Sequence, residues 1–382
     1  MTIGLLKEPG HETRVSLLAE AVATLTKKGI KVLVENGAGD KAFCSNMDYE
    51  QAGAEIKEKK DVLQASDVIL SIHYPLQSAM SEIQSKILIG VYQPLYNAGL
   101  MQQWANQGIT TFSLDMLPRT TRAQAMDVLS SQANIAGYKA AVMAAQLYPR
   151  YFPMFMTAAG TIKPAKVLIL GAGVAGLQAI ATARRMGAVV EVFDTRPAVK
   201  EEVVSLGAKF IEVEGAADAS KAGGYAVEQS QEFMQRQKAR IADSIAKADI
   251  VVTTAQIPGK KAPVLVTEDM ISAMRKGSVI IDIAAATGGN TPVTKNNETI
   301  VYHGVTIIGN SNLPATMPSD ASRMYGKNVL NFLQLIINKE GQLNLNWDDD
   351  LVKGSCVTHG GEITNERVKT LVGVKSDGFG EV

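Results

Sequence analysis

The sequence has few cysteines, no net charge and no long apolar run. Its 382 residues include two cysteines, Cys44 and Cys356. Two thiols exclude a disulfide framework and the usual structural zinc site, and they are typical of a reducing compartment. The 38 basic residues balance the 38 acidic ones, so the composition gives no basis for binding nucleic acid or an anionic membrane surface.

Signals for membrane insertion and export are also missing. No apolar run approaches the roughly 18–20 residues that a membrane-spanning helix needs. The first residues, MTIGLLKEPGHETRV, lack the basic flank and apolar stretch of a signal peptide. The four histidines, His11, His73, His303 and His359, are scattered and give no metal-binding constellation. We therefore expect a cytoplasmic protein without a metal, long enough for two domains that each bury a core.

A glycine turn is the strongest local motif that is present. An apolar strand at residues 166–170 runs into Gly171, Gly173 and Gly176, in G-x-G-x-x-G spacing, and an alanine-rich helix follows. In dinucleotide-binding domains the first glycine allows a tight turn, the second lets the backbone approach the pyrophosphate, and the third lets the helix pack on the strand. Free N–H groups at the start of the helix would bind the phosphates. The motif therefore predicts a dinucleotide site.

The residues after the next strand bear on which dinucleotide is bound. Residues 189–193 form a second predicted strand, and Asp194 follows it directly. A carboxylate at this place holds the ribose 2′-OH, which favours NAD over NADP. Arg196 lies two residues further on, and an arginine there could meet a 2′-phosphate, so these residues alone leave NADP open.

Strands alternate with helices along most of the chain, which predicts parallel βαβ units. The strands expected in a first lobe are residues 3–7, 31–37, 67–72, 87–92 and 110–115. Those expected in a second lobe are residues 166–170, 189–193, 209–213, 249–255, 278–283 and 305–309. The main helices are expected at residues 16–28 with Ser16 as N-cap, at 122–147 and at 319–337. A last strand at 343–347 would rejoin the first lobe.

The fold class that follows is α/β with two Rossmann-like doubly wound domains. The first domain is discontinuous and comprises residues 1–135 and 320–382. The NAD-binding domain, residues 136–319, is inserted in it, and the long helices at 122–147 and 319–337 cross between the two. Residues 214–226 are small, polar and glycine-rich, which predicts a loop over a binding site.

Five long blocks of sequence carry a family resemblance. They read KEPGHETRVSL (7–17), PRTTRAQAMDVLSSQANIAGYKA (118–140), MTAAGTIKPAKVLILGAGVAGLQAIATA (156–183), TTAQIPGKKAPVLVT (253–267) and GSVIIDIAAATGGN (277–290). Together they resemble the NAD(H)-binding component, domain I of the alpha subunit, of proton-translocating nicotinamide nucleotide transhydrogenase, over nearly the whole chain. Alanine dehydrogenases share this two-domain architecture, so the fold alone does not separate the two.

Two stretches of the first lobe help to separate them. Alanine dehydrogenases carry a lysine and a histidine there, which bind the substrate carboxylate and act as acid or base. The corresponding stretches here read SIHYP (71–75), without a lysine, and GVYQPL (90–95), with Gln93 in place of the histidine. Oxidising an amino acid needs a proton acceptor and a carboxylate anchor. His73 could serve as the base, but we favour a structural role for it; Arg14 is matched in both families and decides nothing.

The resemblance implies direct hydride transfer from NADH on this chain to NADP⁺ on a partner domain. The nicotinamide rings carry that chemistry, so the protein supplies position rather than a general acid or base. The family match in RTTRAQAMD implies that Arg119, Asp127 and Ser130 orient the nicotinamide, and that Gln124 reaches toward the partner's NADP(H). Asp127 and Ser130 lie three residues apart and would project from one helix face. The alternative is an ordinary helix start capped by Thr121.

The glycine motif and the resemblance together give a set of expected NAD(H)-binding residues. The set is Gly171, Gly173, Val174, Ala175, Gly176, Asp194, Thr195, Arg196, Tyr225, Ala255, Gln256 and Asn134. Tyr225 matches a loop that in the family closes over bound nucleotide; the alternative is a tyrosine packed on the surface. Gln256 stands where the family commonly has leucine, and it would add a polar group beside the adenosine.

The resemblance also implies partners. These are an NADP(H)-binding domain, membrane-embedded proton channel subunits and a second copy of this chain in a homodimer. Such a chain would be cytoplasmic and peripheral on the inner membrane, held there by its partner subunits. Two other functions stay open: a self-sufficient dehydrogenase of alanine or a related amino acid, and an NAD(H)-sensing module with no chemistry of its own.

Overall fold

The computed structural model describes residues 1–75, 82–213 and 231–376. The chain divides into two compact units. Unit 1 contains Met1–Gln132 and Met317–Val382, and unit 2 is Ala133–Thr316. The domain boundaries expected from the sequence, 135/136 and 319/320, lie a few residues beyond these divisions.

Unit 1 is built on an eight-stranded sheet. Its strands are β1 (Thr2–Leu5), β2 (Lys31–Glu35), β3 (Glu55–Lys57), β4 (Val68–Leu70), β5 (Ile87–Gly90), β6 (Thr110–Ser113), β16 (Cys356–His359) and β17 (Glu362–Ile363). Their order is β17-β16-β6-β5-β4-β1-β2-β3. The first six are parallel, while β16 runs antiparallel to β6 and β17 to β16.

Helices cover both faces of this sheet, which is why its inner strands are almost continuously apolar. They are α1 (Ala19–Thr26), α2 (Asn46–Gln51), α3 (Lys59–Ala65), α4 (Ala98–Asn106), α10 (Pro318–Ile336), α11 (Asp350–Ser355) and α12 (Glu366–Ser376). Phe112 and Phe332 pack in the core on one face, and Trp104 packs on Tyr92 on the other.

Unit 2 is built on a seven-stranded sheet of order β11-β10-β9-β12-β13-β15-β14. Its strands are β9 (Lys166–Leu170), β10 (Val189–Phe193), β11 (Lys209–Phe210), β12 (Ile250–Thr253), β13 (Val279–Asp282), β14 (Thr299–Tyr302) and β15 (Val305–Ile308). All pairs are parallel except the edge pair of β14 and β15. The helices of this part are α6 (Val174–Arg185), α7 (Lys200–Ser205), α8 (Gln231–Ile245) and α9 (Glu268–Ser272), and α5 (Val128–Leu147) begins in unit 1 and continues into unit 2.

The predicted fold class, α/β with Rossmann-like parallel sheets, is confirmed. Several local expectations were wrong. Ser16 does not cap α1, which begins at Ala19 after Leu18, and the Ser16 hydroxyl is buried without a hydrogen-bond partner among the described residues. Residues 343–347 form no strand beyond a single bridge from Leu343 to Ile337, and β16 rejoins the first sheet instead.

The long helix predicted at residues 122–147 is interrupted. A 3₁₀ helix spans Thr121–Met126, Asp127 leaves helical geometry with ψ 89°, and α5 starts at Val128. A two-stranded hairpin of β7 (Phe155–Thr157) and β8 (Gly160–Ile162), which the sequence analysis missed, follows α5. No helix within the described ranges combines the length and apolarity needed to cross a membrane.

Candidate functional site

In the glycine turn of unit 2, a side chain would clash with neighbouring atoms at Gly171 and Gly176 but not at Gly173. Gly171 has φ 108°, and a Cβ there would lie 2.4 Å from Thr254 Oγ1. A Cβ at Gly176 would lie 1.9 Å from the carbonyl oxygen of Gly171, so the helix can start this close to the strand only with glycine. A Cβ at Gly173 would meet no described atom within 4 Å. This opening at the first N–H groups of α6 fits a dinucleotide pyrophosphate.

The first turn of α6 presents Val174 and buries Ala175. Val174 is 40% exposed, and Ala175 is 9% exposed. A Cβ at Gly137 would lie 2.0 Å from the Ala175 carbonyl oxygen, so α5 and α6 approach closely. Asn134, one turn earlier on α5, donates from Nδ2 to Gln178 Oε1 at 3.2 Å. This contact places Asn134 beside α6.

Asp194 and Arg196 form a tight pair after β10. Asp194 Oδ1 accepts from Arg196 N at 2.8 Å and Nε at 2.9 Å, while Oδ2 accepts from Arg196 Nη2 at 2.8 Å and Ala172 N at 2.7 Å. The hydrogen bond and charge of Asp194 raise the pKa of the Arg196 guanidinium. A carboxylate offers about four lone-pair sites, so a ribose hydroxyl would have to replace one of these donors. Asp194 also neutralises the positive charge of Arg196, which a 2′-phosphate of NADP would need for binding. Thr195, between them, is half-buried.

The loop after β12 lies against the glycine turn. Thr254 Oγ1 donates to the Gly171 carbonyl oxygen at 3.1 Å. Ala255 is half-buried, and the exposed Gln256 donates from Nε2 to the Ile283 carbonyl oxygen at 3.3 Å. The carboxyl edge of a doubly wound sheet is where ligands bind, so Ala255 and Gln256 lie at the expected edge of unit 2. Tyr225 falls outside the described residues.

The residues expected to orient the nicotinamide lie in unit 1, where Arg119 and Gln124 are exposed. Asp127 and Ser130 do not share a helix face as expected, because Asp127 is the residue before α5. Asp127 Oδ1 accepts from Ser130 N at 2.9 Å and Oδ2 from Ser130 Oγ at 2.6 Å. The Asp127 carbonyl oxygen accepts the first helical bond, from Ser131 N at 3.2 Å. Asp127 is therefore the N-cap of α5, and its side chain is tied to Ser130.

Unit 1 contains a buried ion cluster that was not predicted from the sequence. Glu12, 1% exposed, binds Arg14 through both carboxylate oxygens at 2.8–2.9 Å, and Glu12 Oε2 lies 2.9 Å from His73 Nε2. Arg14 Nη1 also donates to Gln132 Oε1 at 2.8 Å. Burial opposes ionisation of Glu12, but the bonds from Arg14 and His73 outweigh it and hold the pKa of the carboxyl well below its usual range. The His73 ring is thus held by a contact with the buried Glu12 carboxylate.

A second buried carboxyl lies beside this cluster. Glu8 accepts hydrogen bonds from the backbone N–H groups of Ile72 and His73, just after β4. Burial nevertheless raises the pKa of Glu8 to about 7. His73 lies 65 residues from Glu8 and 61 from Glu12 in the chain, so no local pattern links it to them.

Family models match the chain in two regions. The N-terminal domain model of alanine dehydrogenase/PNT covers residues 4–136, and the C-terminal domain model covers residues 140–366. The chain belongs to the alanine dehydrogenase/PNT family. The two matched regions meet close to the start of unit 2 at Ala133.

Relatives within the alanine dehydrogenase/PNT family differ in their distance from this chain. It is 43% identical over 377 residues to the first part of NAD(P) transhydrogenase subunit alpha of Rhodospirillum rubrum, covering 96% of this chain and 98% of the relative. A solved transhydrogenase structure from Sinorhizobium meliloti is 43% identical, with TM-score 0.87, over 95% of this chain and 100% of the other. Alanine dehydrogenase of Staphylococcus epidermidis is 27% identical over 378 residues, 96% of each chain.

The family expected from the five sequence blocks is therefore confirmed. Identity favours the transhydrogenase alpha subunits over the alanine dehydrogenases, in line with the missing lysine and histidine. The chain is an oxidoreductase of the transhydrogenase family. The roles expected for individual residues remain predictions.

Proposed function

We propose that this chain is the NAD(H)-binding subunit of an NAD(P) transhydrogenase. It would pass a hydride from NADH directly to NADP⁺ held by a partner domain, and membrane-embedded partner subunits would couple this transfer to proton translocation. The likeness to the transhydrogenase alpha subunit of Rhodospirillum rubrum, 43% identity along 98% of that relative, is the observation that carries the proposal.

The glycine turn supports NAD(H) as the nucleotide on this chain. The open position at Gly173 and the start of α6 would take the pyrophosphate. Asp194, with its charge partner Arg196, would meet the adenosine ribose. The remaining nucleotide contacts would come from Val174, Ala175, Thr195, Ala255, Gln256, Asn134 and Tyr225.

The described residues of unit 1 suit a reaction that needs position rather than proton transfer. Arg119, Asp127 and Ser130 would orient the nicotinamide, and Gln124 would face the partner's NADP(H). A hydride passes between nicotinamide rings without a general acid or base, provided that water is excluded and the rings are held at near-attack distance.

The missing lysine and histidine disfavour amino-acid oxidation. That reaction needs a cation for the substrate carboxylate and a base for its amino group. Residues 71–75 contain no lysine, and Gln93 stands in place of the histidine. His73, the remaining candidate base, lies with Nε2 2.9 Å from the Glu12 carboxylate.

Two assays on the purified chain alone test the proposal against its alternatives. We expect NADH to bind, detected by its fluorescence, and we expect no NADH oxidation with pyruvate and ammonium. NADH oxidation that depends on both compounds would make the chain an alanine dehydrogenase. Failure to bind NADH would contradict both the transhydrogenase function and the NAD(H)-sensing function.

A further inference from the structure

Asn290 is a buried side chain near the carboxyl edge of unit 2 that makes three hydrogen bonds and that no expected function uses. It follows Gly288 and Gly289, both with positive φ, and it is 0% exposed. It touches the loop that joins β12 to α9, residues 254–267, which carries Ala255 and Gln256. The backbone polar groups of this loop lack a regular ladder, so they must find partners elsewhere.

The Asn290 side chain supplies three of those partners. Its Oδ1 accepts from Ala255 N at 3.1 Å, and its Nδ2 donates to the Ala255 carbonyl oxygen at 2.9 Å. The same Nδ2 donates to the Pro263 carbonyl oxygen at 2.8 Å. The amide thus pairs with the Ala255 peptide as a neighbouring strand would, and it ties the two ends of the loop together.

The Asn290 backbone holds the far end of the same loop. Its carbonyl oxygen accepts from Leu265 N at 2.9 Å and Val266 N at 3.1 Å. Its N–H donates to Asp282 Oδ2 at 2.7 Å. One buried residue therefore fixes the loop at Ala255, at Pro263 and at Leu265–Val266.

Asp282, at the end of β13, anchors Asn290 in turn. It is 0% exposed, its Oδ1 accepts from Ala284 N at 3.0 Å, and its Oδ2 also accepts from Thr294 Oγ1 at 2.6 Å. A Cβ at Gly289 would lie 2.8 Å from Asp282 Oδ2, so glycine there permits the approach. The anchor belongs to the rigid end of a central strand, whereas the loop it holds contacts the glycine turn through Thr254.

We propose that Asn290 is a positioning residue for NAD(H), acting through the Ala255 peptide; this rests on the proposed function of unit 2 as the NAD(H) site. Asn290 sets the conformation in which residues 255 and 256 face the nucleotide. Asn290 takes no part in hydride transfer itself. Its loss therefore weakens NADH binding and leaves the rate of hydride transfer at saturating NADH unchanged.

Titration of the full chain with NADH, followed by nucleotide fluorescence, tests this inference. Asn290→Ala removes all three side-chain bonds, whereas Asn290→Asp keeps the shape but puts a carboxylate oxygen, in place of Nδ2, against the carbonyl oxygens of Ala255 and Pro263. Both changes should raise the Kd for NADH at least tenfold. Asn338→Ala is the matched control, since Asn338 Oδ1 accepts from two backbone N–H groups, of Glu340 and Gln342, in a turn of unit 1; its Kd should stay at the wild-type value.

The binding curve also separates positioning from folding. A purely structural role would lower the melting temperature and the number of binding sites per chain while leaving the Kd of the folded fraction unchanged, and that result would overturn the inference. A fall in transfer rate at saturating NADH with unchanged Kd, measured with the partner domain, would also overturn it.

If Asn290→Ala does not fold, Thr294→Val removes one bond to Asp282 and should raise the Kd for NADH twofold or more. An unchanged Kd would contradict the inference. A wild-type chain that does not bind NADH would instead defeat the proposed function.

Discussion

Gly173 and Gly176 lie three residues apart, but the space beside their Cα atoms differs. The space beside Gly176 is filled by the backbone of Gly171, whereas the described surroundings of Gly173 are open. Packing within the fold therefore explains glycine at position 176, whereas we propose that a bound nucleotide explains glycine at position 173. Their spacing made both recognisable from the sequence, because the motif is local.

Alanine substitutions at these two glycines should separate binding from stability. Gly173→Ala places a methyl group in the open space, so we expect a tenfold or greater rise in the Kd for NADH with stability within about 0.5 kcal/mol of wild type. Gly176→Ala forces a backbone shift and should destabilise the fold by about 1–3 kcal/mol. Thermal unfolding and NADH titration measure the two effects. Equal behaviour of the two variants would contradict this division.

Glu8 predicts a pH dependence of stability. Burial raises its pKa from 4.5 to about 7, so between these values the folded chain holds a proton that the unfolded chain releases. The stabilisation is complete below pH 4.5 and is lost as the pH rises through about 7, a change of about 3 kcal/mol. Glu12 titrates in the opposite sense and below its ordinary range, outside this window.

Denaturant unfolding of wild type and Glu8→Gln between pH 4.5 and 7.5 measures this term. The wild type should lose stability relative to the variant as the pH rises, because glutamine cannot ionise. Parallel curves would show that Glu8 keeps its ordinary pKa. Glu8 and its partners could not be linked from the sequence, since only the fold brings the ends of β1 and β4 together.

At the scale of elements, the break before α5 is the difference that matters most for the site. Helical periodicity runs through residues 122–147, but Asp127 binds the N–H of Ser130 and stops the helix from continuing toward Arg122. A short acidic side chain competes with the helix for backbone N–H groups. The break changes how Asp127 and Ser130 are presented, while leaving them in contact.

The loss of stability caused by a substitution at this N-cap should therefore increase with the number of hydrogen bonds that the substitution removes. Asp127→Ala leaves the Ser130 N–H unpaired and should cost about 1 kcal/mol of stability. Ser130→Ala keeps the backbone bond to Asp127 and should cost less. Chemical denaturation of the two variants gives the ranking, and a larger loss for Ser130→Ala would show that Asp127 does not cap α5.

Parallel strands were the elements most readily predicted, because strands buried on both faces are continuous apolar runs. Among the strands, the wrong expectations occurred at the sheet margins. Residues 343–347 alternate Leu and Asn as a strand would, yet only Leu343 finds a bridging partner. β16 has only four residues, Cys356–His359, and it pairs antiparallel with β6 at the edge of the parallel strands.

At the scale of the whole molecule, most of the fold and only some of the site could be predicted. Alternating strands and helices gave the two parallel sheets, and long sequence blocks gave the family. The glycines and Asp194 could be proposed as site residues from the sequence because their motif depends on local spacing. The contacts that Asn290 and the Glu12–Arg14–His73 cluster make could not, because they join segments far apart in the chain.

Direct hydride transfer is the central claim, and isotope transfer tests it most directly. The chain is mixed with the NADP(H)-binding partner domain, NADP⁺ and NADH that carries deuterium at both C4 positions of the nicotinamide. Direct transfer predicts deuterium in the NADPH formed, none in water, and no NADPH without the partner domain. NADPH without deuterium, or NADPH formation by this chain alone, would contradict the account.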